Sequence, residues 1–268
     1  MSQSLPLPLD VRLTNMATTL FLTALLLGCA TAGLWWALRS PAFAIRGITL
    51  HGDTAHSSPD GLRARVAQRL SGNFFTLDLQ AARAVFQSAP WVRSAQVRRV
   101  FPDRLEVTLR EYAPVAFWGE GGSQMVDEQG RVFDTGGIAG DVGNLPRLSG
   151  PPGQAALTLE AFHALNAALA PAGLGLRALE LTPRGGWRAE LDNGGVVELG
   201  RGAPADLAAR AGVLTATAPE VAARHQRGPR DIEFADLRYQ AGYALRLRGL
   251  TTEPASQPPR PGASPARR

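Results

Sequence analysis

The first feature of the chain is an apolar run. Leu13 to Leu38 carries no charged side chain, and Arg12 and Arg39 bracket it. Its 38 − 13 + 1 = 26 residues make a helix of ~39 Å, long enough for about 30 Å of hydrocarbon. Trp35 and Trp36 stand near its end, where interfacial tryptophans belong. A cleaved signal peptide is the competing reading, because Ala42-Phe43-Ala44 has a small-x-small pattern. The run exceeds the usual h-region of about 7–15 residues, and what precedes it is barely basic. The pattern predicts an uncleaved anchor at 13–38, with Leu13, Trp35, Trp36 and Leu38 marking its ends. Arg12 is offset by Asp10, so orientation rests on length. A short tail, 1–12, stays in the cytoplasm, and the large C-terminal part crosses.

Shorter periods follow. Phe43 to Asp53 predicts a strand with a bulge near Gly47, since apolar positions change parity there. Ser58-Pro59 reads as a helix cap and first turn. Leu62, Val66 and Leu70 then line one face, with Arg63, Arg65 and Arg69 outside. Asp78 caps a second helix whose stripe is Leu79, Ala82, Val85, Phe86 and Ala89. Pro90 stops it. Ala95 and Val97 then face one way, against Gln96 and Arg98. Beyond a Pro102-Asp103 turn, Leu105, Val107 and Leu109 alternate with Glu106, Thr108 and Arg110. Period 2 on both sides of a short break predicts a hairpin with one buried face. The order is β-α-α-β-β, one mixed sheet covered by two helices.

Met125 to Phe133 predicts a second hairpin, with Gly130 in its turn. Gly136 to Gly153 is Gly/Pro-rich and reads as irregular, pinned by Leu145, Pro146 and Leu148. A helix runs from Thr158 or Leu159 to Ala170, with Phe162, Leu165, Ala168 and Leu169 inward. Strands follow at Leu176–Leu181, Trp187–Leu191 and Val196–Leu199, the last two joined across a tight Asn193-Gly194 turn. An Ala-rich helix spans Pro204 to Thr217, with a further turn toward His225. Asp231–Tyr239 and Tyr243–Arg248 predict a closing hairpin across Gln240-Ala241-Gly242, bulged near Ala235-Asp236. Beyond Leu250 the chain is Pro, Ser, Ala and Arg without aromatics, too polar to order itself.

Composition narrows the chemistry. The chain of 268 residues has net charge +5, and every basic side chain is arginine. The arginines are dispersed rather than run together, which argues against nucleic acid. Cys29, inside the apolar run, is the single cysteine. His51, His56, His163 and His225 share no metal spacing, so neither a metal nor a cofactor is expected. No nucleophile elbow, zinc-protease motif or phosphate loop occurs, and no small-molecule substrate is expected. Asp127 and Glu128 read as solvated turn residues rather than a catalytic pair. Arg98-Arg99 reads as a solvated strand end, and Trp118 and Trp187 as core.

The β-α-α-β-β order directly after an anchor resembles a POTRA domain, a docking module. A wider resemblance is carried by Pro90-Trp91-Val92, the Ala95-to-Glu111 hairpin, and Pro114-Val115-Ala116 followed by Trp118. It continues through Leu145-Pro146 and Leu148, Thr182, Arg184 and Trp187, Leu199-Gly200-Arg201-Gly202, and Ala235-Asp236-Leu237-Arg238-Tyr239. Each motif is weak alone, but in this order they resemble the FtsQ/DivIB family of bacterial cell-division proteins. The resemblance implies an α+β chain: cytoplasmic tail 1–12, transmembrane helix 13–38, POTRA domain 43–111, a mixed α/β "β domain" 112–250 ending in an open-edge antiparallel sheet, and a disordered tail 251–268. It also implies a non-enzymatic scaffold of the inner membrane at the septum. Such a scaffold binds FtsB, and through it FtsL, by the β domain, and other division proteins such as FtsK, FtsW and FtsI. The family's interacting Arg falls on Arg184 and its Arg-Tyr pair on Arg238 and Tyr239. Leu247 stands where some members place Trp on the last strand.

Two other classes are weighed. A different POTRA-bearing envelope-assembly protein would need tandem modules and a long barrel. An anchored periplasmic hydrolase would need a triad or metal cluster that these residues do not form. In the closing strand, Tyr243, Leu245 and Leu247 share a face against Arg246 and Arg248. An open edge there predicts strand addition by an acidic partner segment, flanked by Arg184, Arg238 and Tyr239.

Overall fold

The computed structural model describes residues 9–38, 40–57, 59–67, 72–137, 142–239 and 242–250. The chain splits into two compact units, Met1–Tyr112 and Ala113–Arg268. The expected Ser58 cap, Leu70, Arg69, the Gln240-Ala241 turn and the 251–268 tail lie outside the described residues, as do the side chains of Arg63 and Arg65.

Helix α1 (Leu9–Leu38) begins four residues before the uncharged run. Asp10 lies in its first turn, where a carboxylate suits the positive end of a helix. The helix is long and apolar enough to cross a membrane, and none of that stretch is buried in protein. Its threonine hydroxyls are answered internally. The hydroxyls of Thr14, Thr18, Thr19, Thr23 and Thr31 each donate to the carbonyl one turn back, at 2.7–2.9 Å. Self-satisfied hydroxyls are what hydrocarbon surroundings require.

The first unit continues with β1 (Gly47–Gly52), α2 (Pro59–Ala67), α3 (Leu79–Gln87), β2 (Val92–Val100) and β3 (Arg104–Glu111). The sheet order is β1-β3-β2, with β1 parallel and β2 antiparallel to β3. Leu105, Val107 and Leu109 of the central strand are fully buried. They meet Leu62 and Val66 of α2, and Ala82 and Phe86 of α3. Asp78 caps α3, accepting from the amides of Gln80 (2.7 Å) and Ala81 (3.2 Å). The first strand starts four residues later than its pattern predicts. Phe43 belongs to a 3₁₀ turn, Pro41–Phe43, because its carbonyl bonds the Phe74 amide at 2.8 Å instead of entering the sheet. With Phe43 outside, the register from Gly47 to Gly52 is unbroken, and the expected bulge is absent.

The second unit is a mixed nine-stranded sheet. Its strands are β4 (Pro114–Trp118), β5 (Gln124–Asp127), β6 (Val132–Asp134), β7 (Arg147–Ser149), β8 (Leu176–Leu181), β9 (Trp187–Leu191), β10 (Val196–Gly200), β11 (Ile232–Asp236) and β12 (Ala244–Leu247). Their order is β12-β11-β10-β9-β8-β7-β4-β5-β6. Helices α4 (Ala155–Leu169) and α5 (Pro204–Ala223) share one core with it. Leu159, Leu165, Leu207 and Leu214 pack with Leu179, Leu191 and Leu199. Two readings change here. Arg147–Ser149, expected to be irregular, is a strand between β4 and β8, with Leu148 fully buried. Asp127 is not solvated. It is buried, and its Oδ1 accepts from the amides of Gln129 (2.9 Å) and Arg131 (2.8 Å), closing the β5–β6 turn. Gly130 in that turn has φ +74°, and a Cβ would fall 2.5 Å from Ala156 Cα, so the turn packs on the start of α4. That packing is what covers Asp127.

Candidate partner-binding edge

The sheet of the second unit ends on β12, which among the described residues pairs only with β11. Leu245 and Leu247 turn inward: Leu247 is buried and Leu245 packs against the core. Arg246 and Arg248 turn out. The Arg246 guanidinium stands 5.6 Å from the Phe234 ring centre, and 3.9 Å from Glu233 Oε2. The strand is shorter than its sequence suggests. Tyr243 lies just before it, and its hydroxyl meets Thr217 Oγ1 on α5 at 2.7 Å.

The bulge on β11 also moves. Ile232 pairs with Leu247 and Phe234 with Arg246, so the extra residue is Glu233 rather than Ala235 or Asp236. The frame is set from the strand's start. The Asp231 carbonyl takes the Arg248 amide at 2.7 Å, and Asn193 Nδ2 donates to the carbonyls of Arg230 and Ile232.

Register gathers the other candidates at one end of this sheet. Trp187 stands opposite both Leu181 and Gly200, and Asp236 opposite both Glu198 and Ala244. The 182–186 turn, the loop after Gly200, residues 237–239 and Tyr243 therefore leave from the same end. Arg184 is exposed at the tip of the turn, which Thr182 closes by bonding Gly186 in both directions. Two to three strand spacings, roughly 10–14 Å, separate that turn from Arg238. Tyr239 is 63% exposed, so it is a surface residue and not part of the core.

Arg238 is held in place. Its Nε donates to Asp236 Oδ1 at 2.8 Å and its Nη2 to Oδ2 at 2.6 Å. The Asp236 side chain is only 6% exposed, whereas that of Arg238 is 57% exposed. The Arg238 bond holds the Asp236 carboxyl below its ordinary pKa, and the same bond raises that of Arg238. One fork of the guanidinium is thus committed inward, while its Nη1/Nη2 end carries the remaining donors. The stem of Arg238 lies over Gly200, whose φ is +76°; a Cβ there would stand 3.2 Å from Arg238 Cγ. Arg210 fixes the adjoining loop by donating to the carbonyls of Leu199 (2.6 Å) and Arg201 (2.7 Å). Trp187 Nε1 donates to the Gly202 carbonyl at 3.2 Å, so Trp187 is core with one polar duty. Sequence reasoning did not single out Asp236, Arg210 or Thr217. Only Asp236 leaves a signal, standing two residues before Arg238 in the same short motif.

The concave features offer little else. An open depression of about 680 Å3 is lined by Glu120, Arg147, Pro151, Glu180, Arg188 and Glu190, among others. Neither histidine nor cysteine lines it. No group of three metal-ligating side chains occurs among the described residues. What the second unit presents is an edge and a basic rim.

Two family models match. The POTRA domain of FtsQ type covers residues 43–112, and the C-terminal region of the cell division protein FtsQ/DivIB covers 116–238. The cell division protein FtsQ of Burkholderia pseudomallei (strain K96243) is 42% identical over 242 residues, 90% of this chain and 94% of that one. That of Bordetella pertussis (strain Tohama I) is 35% identical over 265 residues, 92% of this chain and 95% of that one. That of Thiomonas arsenitoxydans is 34% identical over 250 residues. Spanning both units and nearly the full length of these relatives, the chain belongs to the FtsQ/DivIB family of cell division proteins.

Proposed function

We propose that this chain is a non-enzymatic scaffold of the division machinery, held in the inner membrane by α1. The N-terminal tail lies in the cytoplasm and both folded units lie in the periplasm, at the septum. The second unit binds the periplasmic segment of FtsB, and FtsL with it. The partner strand adds to β12, and Arg184, Arg238 and Tyr239 flank it. The first unit receives other division proteins, such as FtsK, FtsW and FtsI. No nucleic acid and no small-molecule substrate enters this reading.

The observation that carries it is the edge of the large sheet. Among the described residues β12 has one strand neighbour, and exposed Arg184, Arg238 and Tyr239 leave the sheet at its end. An unpaired edge offers backbone donors and acceptors that an extended peptide satisfies. Arginines beside it select an acidic segment, and Arg238 needs little ordering because Asp236 already orients it.

The test is binding of the full chain, in nanodiscs, to the periplasmic segment of FtsB. Binding that is saturable and lost with Tyr239→Ala or Arg184→Glu supports the site; undiminished binding by both variants removes it. The anchor has its own test. Amino-terminal sequencing of the membrane-extracted protein should return the unprocessed start, and a mature chain beginning at Ile45 would refute the reading.

A further inference from the structure

We propose that the first unit carries a second membrane contact: an aromatic rim, Phe75 and Phe101 with Val100, that rests in the headgroup layer beside the end of α1. This rests on the reading that α1 spans the membrane. The rim is built at one end of the three-stranded sheet. Phe43 precedes β1, Phe101 is the tip of the β2–β3 hairpin, and Phe74 and Phe75 lie in the loop before α3. Their rings form a chain of edge contacts: Phe43 to Phe75 at 5.0 Å, Phe75 to Phe74 at 5.2 Å, and Phe74 to Phe101 at 6.1 Å. Phe74 is buried beneath the others, but Phe101 is 76% exposed and Phe75 43% exposed. Edge-to-face rings of this kind usually close a core; here two of the four rings are exposed to solvent.

What covers the rim follows from where the chain comes from. Asn73 Nδ2 donates to the Leu38 carbonyl, the last residue of α1. The same Asn73 accepts from the amides of Phe75 (3.1 Å) and Thr76 (3.0 Å), so its loop is tied directly to the helix end. Trp35 and Trp36 sit three and two residues before Leu38, and both are exposed. Interfacial tryptophans mark headgroup depth, and Leu38 lies only about 3–5 Å farther along the axis. A loop bonded there, and a hairpin tip 6.1 Å from that loop, cannot stand far from the lipid surface. Exposed Arg104 at the same end, and Arg46, which also pairs with Asp103 at 3.9 Å, supply cations for lipid phosphates. The opposite end of the sheet carries exposed His51 and Asp53, and its aromatics are covered: Trp91 is buried and stacked on His56, and Tyr112 is half-buried. The sheet is therefore amphipathic along its length, with the apolar end toward the anchor.

The test uses the full chain in vesicles of phosphatidylethanolamine and phosphatidylglycerol, labelled with an environment-sensitive fluorophore at one cysteine. Phe101→Cys is labelled in a Cys29→Ala background. Asp53→Cys, six residues up β1 and roughly 20 Å away, is the aqueous reference. Native Cys29 reports the span itself. Nitroxide lipids with the spin label near the headgroup should quench the Phe101→Cys probe, and iodide should not; the Asp53→Cys probe should show the reverse. Cys29 should be quenched by nitroxides deep in the chains. Adding Phe75→Ser should weaken lipid quenching at the Phe101→Cys probe. Unchanged quenching would mean the dye and not the rim seeks lipid, which overturns the proposal. So does a Phe101→Cys probe as open to iodide as the reference, with Cys29 still in lipid. Shielding from iodide without lipid quenching would place a protein on the rim instead. A Cys29 probe outside lipid would bring down the anchor, and the rim with it.

Discussion

The two sheets of this molecule use the same ion pair in opposite ways. In the first unit Arg98 Nη2 meets Glu106 Oε1 at 2.7 Å across β2 and β3. Both partners answer each other on an outward strand face, with 72% of the arginine side chain exposed. In the second unit Arg238 is gripped by Asp236, whose side chain is almost wholly buried. In the first pair Glu106 also meets His51 Nε2 at 3.6 Å, and pairs whose cations lie this far out in solvent contribute little to stability. The second fixes the direction of a cation at the end of a strand, because the carboxylate beneath it cannot move. An arginine on a surface becomes a positioned group only when its anchor is buried.

That contrast can be broken at several strengths. The largest effect is expected from Val107→Asp, which buries a charge at the centre of the small sheet. It should cost on the order of 3 kcal/mol or more and lower the first unit's melting transition in calorimetry, leaving that of the second in place. An unmoved first transition would mean the buried face is misassigned. Next come Tyr239→Ala and Arg184→Glu. Each should weaken FtsB-segment binding at least tenfold, about 1.4 kcal/mol, with no loss of thermal stability. A smaller effect is expected from pH. The Asp236 carboxyl is held down in the fold, so its contribution is fully present above its unfolded pKa of about 4 and fades as pH falls through the lower folded value. Acid titration of second-unit stability should show this fall, and Asp236→Asn should flatten it. The smallest is Arg98→Ala, for which neither melting nor binding should change measurably. A clear drop in melting would show that the exposed pair matters to the small sheet after all.

Much of the architecture was legible in the sequence wherever period and length agreed. Leu105, Val107 and Leu109 announce their strand by strict alternation, and β8, β9 and β10 lie close to where theirs is expected. The failures share a cause. Phe43 fits the parity of β1, but a backbone bond to Phe74 holds it out. Arg147–Ser149 is too short to show alternation, and only its two strand neighbours make it a strand. Asp127 looks like a turn carboxylate and is one, yet Gly130 lets α4 come down over it. At the candidate site, Arg184, Arg238 and Tyr239 were legible from motif resemblance. The Asp236 clamp, the Thr217 contact of Tyr243 and the Arg210 bonds were not, since each depends on register or on a helix crossing far along the chain.

The parallel pairing of β10 with β11 sets an order in time. These neighbours are joined through α5, twenty residues that have to be made before β11 can lie down beside β10. Among the described residues β12 in turn pairs only with β11. During synthesis the sheet therefore grows toward its last edge. A chain halted before Ile232 would present β10 as its outer strand, with Val197 and Leu199 inward and Arg210 already bonded to the Leu199 and Arg201 carbonyls. Truncation anywhere between Pro204 and Ile232 would leave a sheet that ends on a different strand, and the edge proposed here for a partner exists only once the sixteen residues from Ile232 to Leu247 have been made.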